Sequence, residues 1–299
     1  MTTAYRAGSL AVQDRVGVRD LAEHVGRSIG PGIRPVAAAF LEQQPMLVLG
    51  AADPAGRVWA GLLTGRPGFA RAVGPHAVSV AGGIPARDPL AGAVTADGTP
   101  VGTIALDPRT RRRMRLNGTA RPSARGIVIA AEQVFSNCPK YLQKRELHGF
   151  AEEPGPRAGA VRYGTALTTG QRRLVRTADT FFIATAAADG VDASHRGGNP
   201  GFVELVSPTE LSWPDYPGNA MFLTLGNLES DGRAGLLFLD WRTGTTLQLS
   251  GFAHTEFGPE GRAVRFRLDT VVETPGGSPL RWSAPEYSPA NPPLPKGRR

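Results

Sequence analysis

Val101-Gly-Thr-Ile-Ala-Leu-Asp-Pro-Arg-Thr-Arg-Arg-Arg-Met-Arg-Leu-Asn-Gly-Thr-Ala120 lies over Ala234-Gly-Leu-Leu-Phe-Leu-Asp-Trp-Arg-Thr-Gly-Thr-Thr-Leu-Gln-Leu-Ser-Gly-Phe-Ala253 at a constant offset of 133 positions. The identities are Gly102/Gly235, Leu106/Leu239, Asp107/Asp240, Arg109/Arg242, Thr110/Thr243, Leu116/Leu249, Gly118/Gly251 and Ala120/Ala253. The same offset sets Pro67-Gly68-Phe69 on Pro200-Gly201-Phe202. With two residues gapped, Met46–Asp53 parallels Phe182–Asp189. Self-similarity at a fixed spacing marks one structural unit used twice.

Each copy reads as β. An apolar strand (Met46–Ala51; Phe181–Ala187) leads through an Asp/Gly turn to a second strand, then Pro-Gly-Phe enters a third. A later hairpin turns at Asp107-Pro-Arg-Thr or Asp240-Trp-Arg-Thr-Gly. Short strands punctuated at this rate belong to a sandwich or barrel. The expected organisation is a helical extension over 1–35, a first copy over 36–150, a linker over 151–170 and a second copy over 171–299. A helix is expected within Val12–Ile29, and another from Pro217 to Leu228 with Asp215 available as its N-cap. Ala151–Ala160 reads as the linker, and the Pro-rich stretch after Glu286 as irregular.

Composition narrows the function. Glycine (38) and proline (26) disfavour long helices, and no apolar run approaches the roughly 20 residues of a membrane span. Met1-Thr-Thr-Ala-Tyr-Arg lacks the layout of a signal peptide, so a cytoplasmic protein is expected, without membrane attachment. The single Cys138 excludes an intrachain disulfide and a CxxC metal site. His24, His76, His148 and His254 are isolated, and no metal is expected. No GxGxxG opening a helix, P-loop or GxSxG occurs. A net charge of +8 and a pI near 10.3 draw anions. Few aromatics and no reader motif argue against nucleic acid. In Arg111-Arg112-Arg113-Met114-Arg115, strand alternation puts Arg111, Arg113 and Arg115 on one face, read as solvated rather than as an anion site.

Three stretches could carry chemistry. In Asp192-Ala-Ser-His-Arg-Gly-Gly-Asn-Pro-Gly201, Ser194, His195 and Arg196 run into Gly197, a grouping suited to an oxyanion. On a regular strand His195 and Arg196 point opposite ways, so a bulge at Gly197 is needed for both to face one ligand atom. Their counterparts at the offset are Leu62 and Leu63, which points to one working site and a degenerate twin. Trp213-Pro-Asp-Tyr-Pro-Gly-Asn219 leads into the second expected helix, and Asp215 either caps it or pairs with Arg196. In Phe135-Ser-Asn-Cys-Pro-Lys-Tyr-Leu-Gln143, Asn137 or Cys138 is placed to cap a short helix beginning at Pro139. Cys138, Lys140 and His195 are the candidate catalytic residues.

These three stretches together resemble the pyridoxamine 5'-phosphate oxidase-like flavin-nucleotide-binding proteins, in particular a bacterial subgroup with two copies per chain. The resemblance implies two tandem six-stranded Greek-key split β-barrels, mainly β with a few helices, forming an intrachain pseudo-dimer with FMN in the groove between the copies. It implies phosphate holders at Ser194, His195 or Arg196, Gly197 and Asn219. Pro214 and Tyr216 would lie along the ribityl chain or ring, beside Asp215. Asn137, Cys138 and Lys140 would approach the ring from the other copy. The activity implied is an FMN-dependent oxidoreductase acting on a small organic substrate, with NAD(P)H docking directly if it is the reductant. The fused unit would be a monomer or a homodimer. A non-catalytic flavin sensor, or the same fold holding haem or deazaflavin, are the alternatives.

Overall fold

A computed structural model describes residues 4–151, 159–188, 190–259 and 261–294. Residues 152–158 of the expected linker, the tail after Leu294, Met1–Thr3, Asp189 and Glu260 lie outside the described residues. The helices are α1 (Ala7–Val16), α2 (Arg19–Gly26), α3 (Pro35–Glu42), α4 (Thr169–Thr177) and α5 (Leu223–Ser230). One sheet holds β1 (Met46–Ala52), β2 (Val58–Thr64), β3 (Ala70–Ala72), β4 (Ala77–Ala81), β5 (Thr99–Asp107), β6 (Arg112–Ser123) and β7 (Gly126–Ser136). After β8 (Leu147–Phe150) and β9 (Arg162–Gly164) comes the second, with β10 (Thr180–Ala187), β11 (Gly190–Gly197), β12 (Glu204–Ser207), β13 (Glu210–Pro214), β14 (Arg233–Leu239), β15 (Thr246–Gly258) and β16 (Gly261–Thr274). β17 (Leu280–Trp282) pairs with β8, and β9 joins the edge of β16.

The two sheets share one antiparallel order, β2-β1-β5-β6-β7-β4-β3 and β11-β10-β14-β15-β16-β13-β12. A terminal hairpin closes each end and a three-strand meander lies between, a split Greek-key barrel whose edge strands do not pair with each other. Each path has seven strands where six were expected; the short β3 and β12, hairpin partners of β4 and β13, make the difference. Both meanders carry a β-bulge at the same place, between Asn117 and Gly118 and between Ser250 and Gly251. Gly50 pairs with Gly102 and Ala184 with Gly235. The counterpart of Met46 is therefore Thr180, not Phe182 as the sequence alignment had it; the slip of two residues left every side chain on its correct face.

The first strands are apolar throughout because both faces are buried. Leu47, Leu49 and Ala51 enter the first barrel's core, and Phe181 and Ile183 the second's. Met46 and Val48, with Phe182, Ala184 and Ala186, form a third core between the barrels. Burying a full Leu- or Phe-sized side chain contributes about 1.5–3 kcal/mol, so this shared layer is a large part of the adhesion. It is also why Gly102 and Gly235 match. A Cβ on Gly102 would sit 2.5 Å from the backbone of Ala193 in β11, and one on Gly235 would sit 2.5 Å from that of Trp59 in β2.

The N-terminal region is helical in two pieces rather than one, because Gly17 closes α1 in the left-handed conformation. α1 crosses α5 closely enough that a Cβ on Gly8 would lie 2.0 Å from the Gly226 carbonyl oxygen. α3 and α4, which periodicity did not single out, each precede the first strand of a barrel. Pro35 starts α3, and a Thr168/Gln171 capping box starts α4. Among the described residues no helix is long and apolar enough to cross a membrane.

Candidate functional site

A cleft opens between the barrels where the edge strand β11 meets β6 and the segment after β7. Its enclosed part measures about 110 Å³, and the space reaches about 880 Å³ with the open mouth. Asn137, Cys138, Lys140, Ser194, His195, Arg196, Gly197, Pro214, Asp215, Tyr216 and Asn219 all line it, so the structure brings every sequence-predicted site residue to one place. Arg113, Arg115, Tyr141 and Thr224 line it too, and sequence reasoning missed them.

The β6 arginines overturn one expectation. Alternation put Arg113 and Arg115 on one strand face correctly, but the second barrel packs over that face, burying Arg115 and leaving Arg113 only partly exposed. Arg111 departs from the set: it sits in the turn before β6 at φ 54 and binds the Leu142 carbonyl and Glu286. Arg115 is buried and forms an ion pair with buried Asp192, and Asn117 Nδ2 donates to the same carboxylate at 3.2 Å. Arg113 donates from Nη2 to the Cys138 carbonyl at 2.6 Å and from Nη1 to His195 Nδ1 at 2.8 Å. Among the described residues it makes no ion pair with a carboxylate. Burial and then the nearby Arg196 charge push its pKa down to about 10.

That contact sets the histidine's tautomer. Guanidinium only donates, so Nδ1 of His195 accepts and the ring proton lies on Nε2. Burial, then the charges of Arg113 and Arg196, hold His195 well below its usual range, and it is neutral at pH 7. Its Nε2 is buried without a hydrogen-bond partner, as are Nε of Arg113, Arg115 and Arg196 and Oδ1 of Asn137. Donors buried without partners cost about 1–3 kcal/mol each, more when charged. Four of them in one cleft form a set complementary to an anion.

No bulge is needed for His195 and Arg196 to share the cleft. β11 pairs regularly with β10 from Thr180↔Gly197 to Ala187↔Gly190. His195 lies on the interface face beside Phe182, with ring centroids 5.9 Å apart, and Arg196 pairs with Phe181 on the other face. Because β11 is an edge strand, the cleft reaches round it. Arg196 Nη1 donates to Ser194 Oγ at 2.8 Å, and its Nη2 lies 4.0 Å from Asp215.

Two local expectations are corrected. No helix follows Asn137 or Cys138; the chain turns there, and Tyr141 holds φ 64 with its ring 5.2 Å from that of Tyr216. Asp215 does not cap a helix: α5 begins only at Leu223, after Ala220 and Phe222 adopt φ 59 and 53. Its carboxylate accepts instead from Arg262 Nε at 3.0 Å. The loop that replaces the expected first turns is held by Asn219, whose Oδ1 accepts from Met221 N, and by α1, whose Gln13 Nε2 donates to the Met221 carbonyl at 3.1 Å.

No family model matches the sequence, and no curated protein matches it. The likeness lies in solved structures. One is HupZ of Group A Streptococcus, at 14% identity, covering 38% of this chain and 98% of its own, TM-score 0.30. A candidate pyridoxamine 5'-phosphate oxidase of Lactobacillus delbrueckii matches at 18%, covering 36% and 94%, TM-score 0.30. The FAD binding protein of Mycobacterium smegmatis matches at 12%, covering 38% and 97%, TM-score 0.26.

Proposed function

We propose that the basic cleft holds the phosphate of a flavin mononucleotide, and that the protein is a flavin-dependent oxidoreductase acting on a small organic substrate. The observation that carries this reading is Arg113, a largely desolvated cation with no carboxylate partner among the described residues, beside the unpartnered donors of His195, Arg115 and Arg196. A buried charge of this kind is retained at a cost unless an anion completes it. The enclosed part of the cleft suits a phosphate group and leaves the mouth for the rest of the molecule.

A bound flavin supplies hydride and electron transfer. The protein's own part is to bind and orient. Arg113, Arg115, Arg196 and Ser194 hold the anionic end, and neutral His195 donates from Nε2. Tyr141 and Tyr216 provide an aromatic wall. Lys140 and Asn137 come from the first barrel and the phosphate holders of β11 from the second, so a complete site needs both. We read the barrels as copies of one duplicated unit of which only the second keeps its β11 set. The haem alternative would need His195 Nε2 as ligand, but the guanidinium on Nδ1 withdraws electron density from it, which favours the flavin.

The absorbance spectrum of the purified protein, followed by titration of ligand-free protein with FMN, tests this. Flavin bands and saturable binding at one equivalent per chain are expected. A Soret band, or affinity unchanged in Arg113→Ala, overturns it. Oxidoreductase activity then requires that the bound flavin be reduced by NAD(P)H or an organic donor; a yellow protein inert to every donor would be the sensor.

A further inference from the structure

A second cleft lies at the position related to the first by exchanging the barrels. The strand offset turns Arg113 and Arg115 into Thr246 and Gln248, and Ser194 and His195 into Gly61 and Leu62. Thr246, Gln248 and Leu62 do line this cavity, of about 370 Å³. It is not vacant where the phosphate would sit. The loop after β4 delivers Asp88, whose Oδ1 accepts from Leu90 N at 2.9 Å and whose Oδ2 accepts from Gln248 Nε2 at 3.0 Å. The Leu62 backbone N–H donates to the same carboxylate.

Two of these donors stand at counterparts of basic-cleft positions: Gln248 where the other barrel has Arg115, and Leu62 where it has His195. A Cβ on Gly61 would meet Asp88 Oδ2 at 2.9 Å, whereas its counterpart Ser194 carries a side chain there. All the partners named donate, which suits a carboxylate, and no ion pair with Asp88 occurs among the described residues. Burial pushes its pKa up and the three donors oppose that. Arg87 also borders the cavity.

We propose that the twin cleft is an oxyanion site whose resident ligand is the chain's own Asp88 carboxylate. The site is thus occupied from within, and an external anion binds only at the basic cleft. The proposal leans on the flavin reading solely in treating the basic cleft as an anion site. Its test uses no flavin, so the two can fail separately.

The test is chemical rescue of the full chain. Asp88→Ala is melted in sodium acetate and in sodium chloride at equal ionic strength. Acetate filling the vacated nest should raise its Tm by about 2–4 °C over chloride. Wild type and Asp88→Asn, whose twin clefts remain filled, should gain only what acetate at the basic cleft supplies, so the gain of about 2–4 °C is read as the excess of Asp88→Ala over wild type. Gly61→Ala should lower the Tm of wild type, but in the Asp88→Ala background it should be tolerated and should cut the acetate gain back to the wild-type level, because the methyl takes the oxygen's place. An Asp88→Ala chain no better in acetate than in chloride, folded or not, overturns the proposal. So does an acetate gain of equal size in wild type, or an excess over wild type that survives Gly61→Ala.

Discussion

Where the basic cleft carries Arg113, Arg115, His195 and Arg196, its twin carries Thr246, Gln248, Leu62 and Leu63. The strands beneath are paired in one order, bulge at one place and cross the other barrel at one glycine. Leu62 and Leu63 are buried in apolar cores, as the counterpart positions of a stable edge strand should be. The fold therefore does not require cations there. Holding them in a partly desolvated cleft works against stability, and the anionic ligand proposed above would account for their presence on one side alone.

The contrast can be broken most forcefully at Arg115. Arg115→Ala leaves Asp192 buried without its cation and should cost about 3–5 kcal/mol in denaturant unfolding, whereas Gln248→Ala in the twin should cost about 1 kcal/mol. Next comes an exchange of phenotypes. Leu62→Ala should cost about 2–4 kcal/mol of stability through lost packing and leave FMN affinity unchanged. Arg196→Ala should weaken FMN by about 10- to 100-fold, the loss of one charge-assisted bond, with little effect on folding. Equal loss of flavin from both variants at matched stability would refute a one-sided site.

The smallest effect is a pH dependence. His195 is held below its unfolded pKa, so between that folded value and about 6.5 the unfolded chain binds a proton that the folded one does not. Stability of the ligand-free protein should therefore fall as pH drops below about 6.5, by up to about 1.4 kcal/mol per pH unit, and His195→Gln should flatten the slope. Bound phosphate should raise the pKa of His195, which ring NMR shifts would report; a ring that titrates near its ordinary value without ligand would contradict the tautomer assigned from Arg113.

Much of this was legible in the sequence where one residue type has one physical reason to be there. Gly102/Gly235 and Gly118/Gly251 match because backbone approaches and bulges leave no room for a side chain, and those matches carried the fold. The polar cluster Ser194–Gly197 was visible because nothing in its twin resembles it. Other features lacked such signals. Alternation tells which β6 residues share a face, but only the second barrel says that Arg113 and Arg115 are covered. The runs Met46–Ala51 and Phe181–Ala187 are apolar on both faces, so nothing in them marks their register. Pro217 and Asp215 look like a helix start, yet Ala220 and Phe222 take left-handed backbone that residue type alone does not announce.

Because β1 and β10 are buried on both sides, neither half can be excised without baring Met46, Val48, Phe182 and Ala184. Covalent fusion consequently has a genetic meaning. In an assembly of identical chains any substitution alters both grooves together, so a change that disarms one disarms all. Within a single polypeptide the grooves are inherited at separate codons, so a change such as one at Asp88 alters one groove and leaves the other as it was.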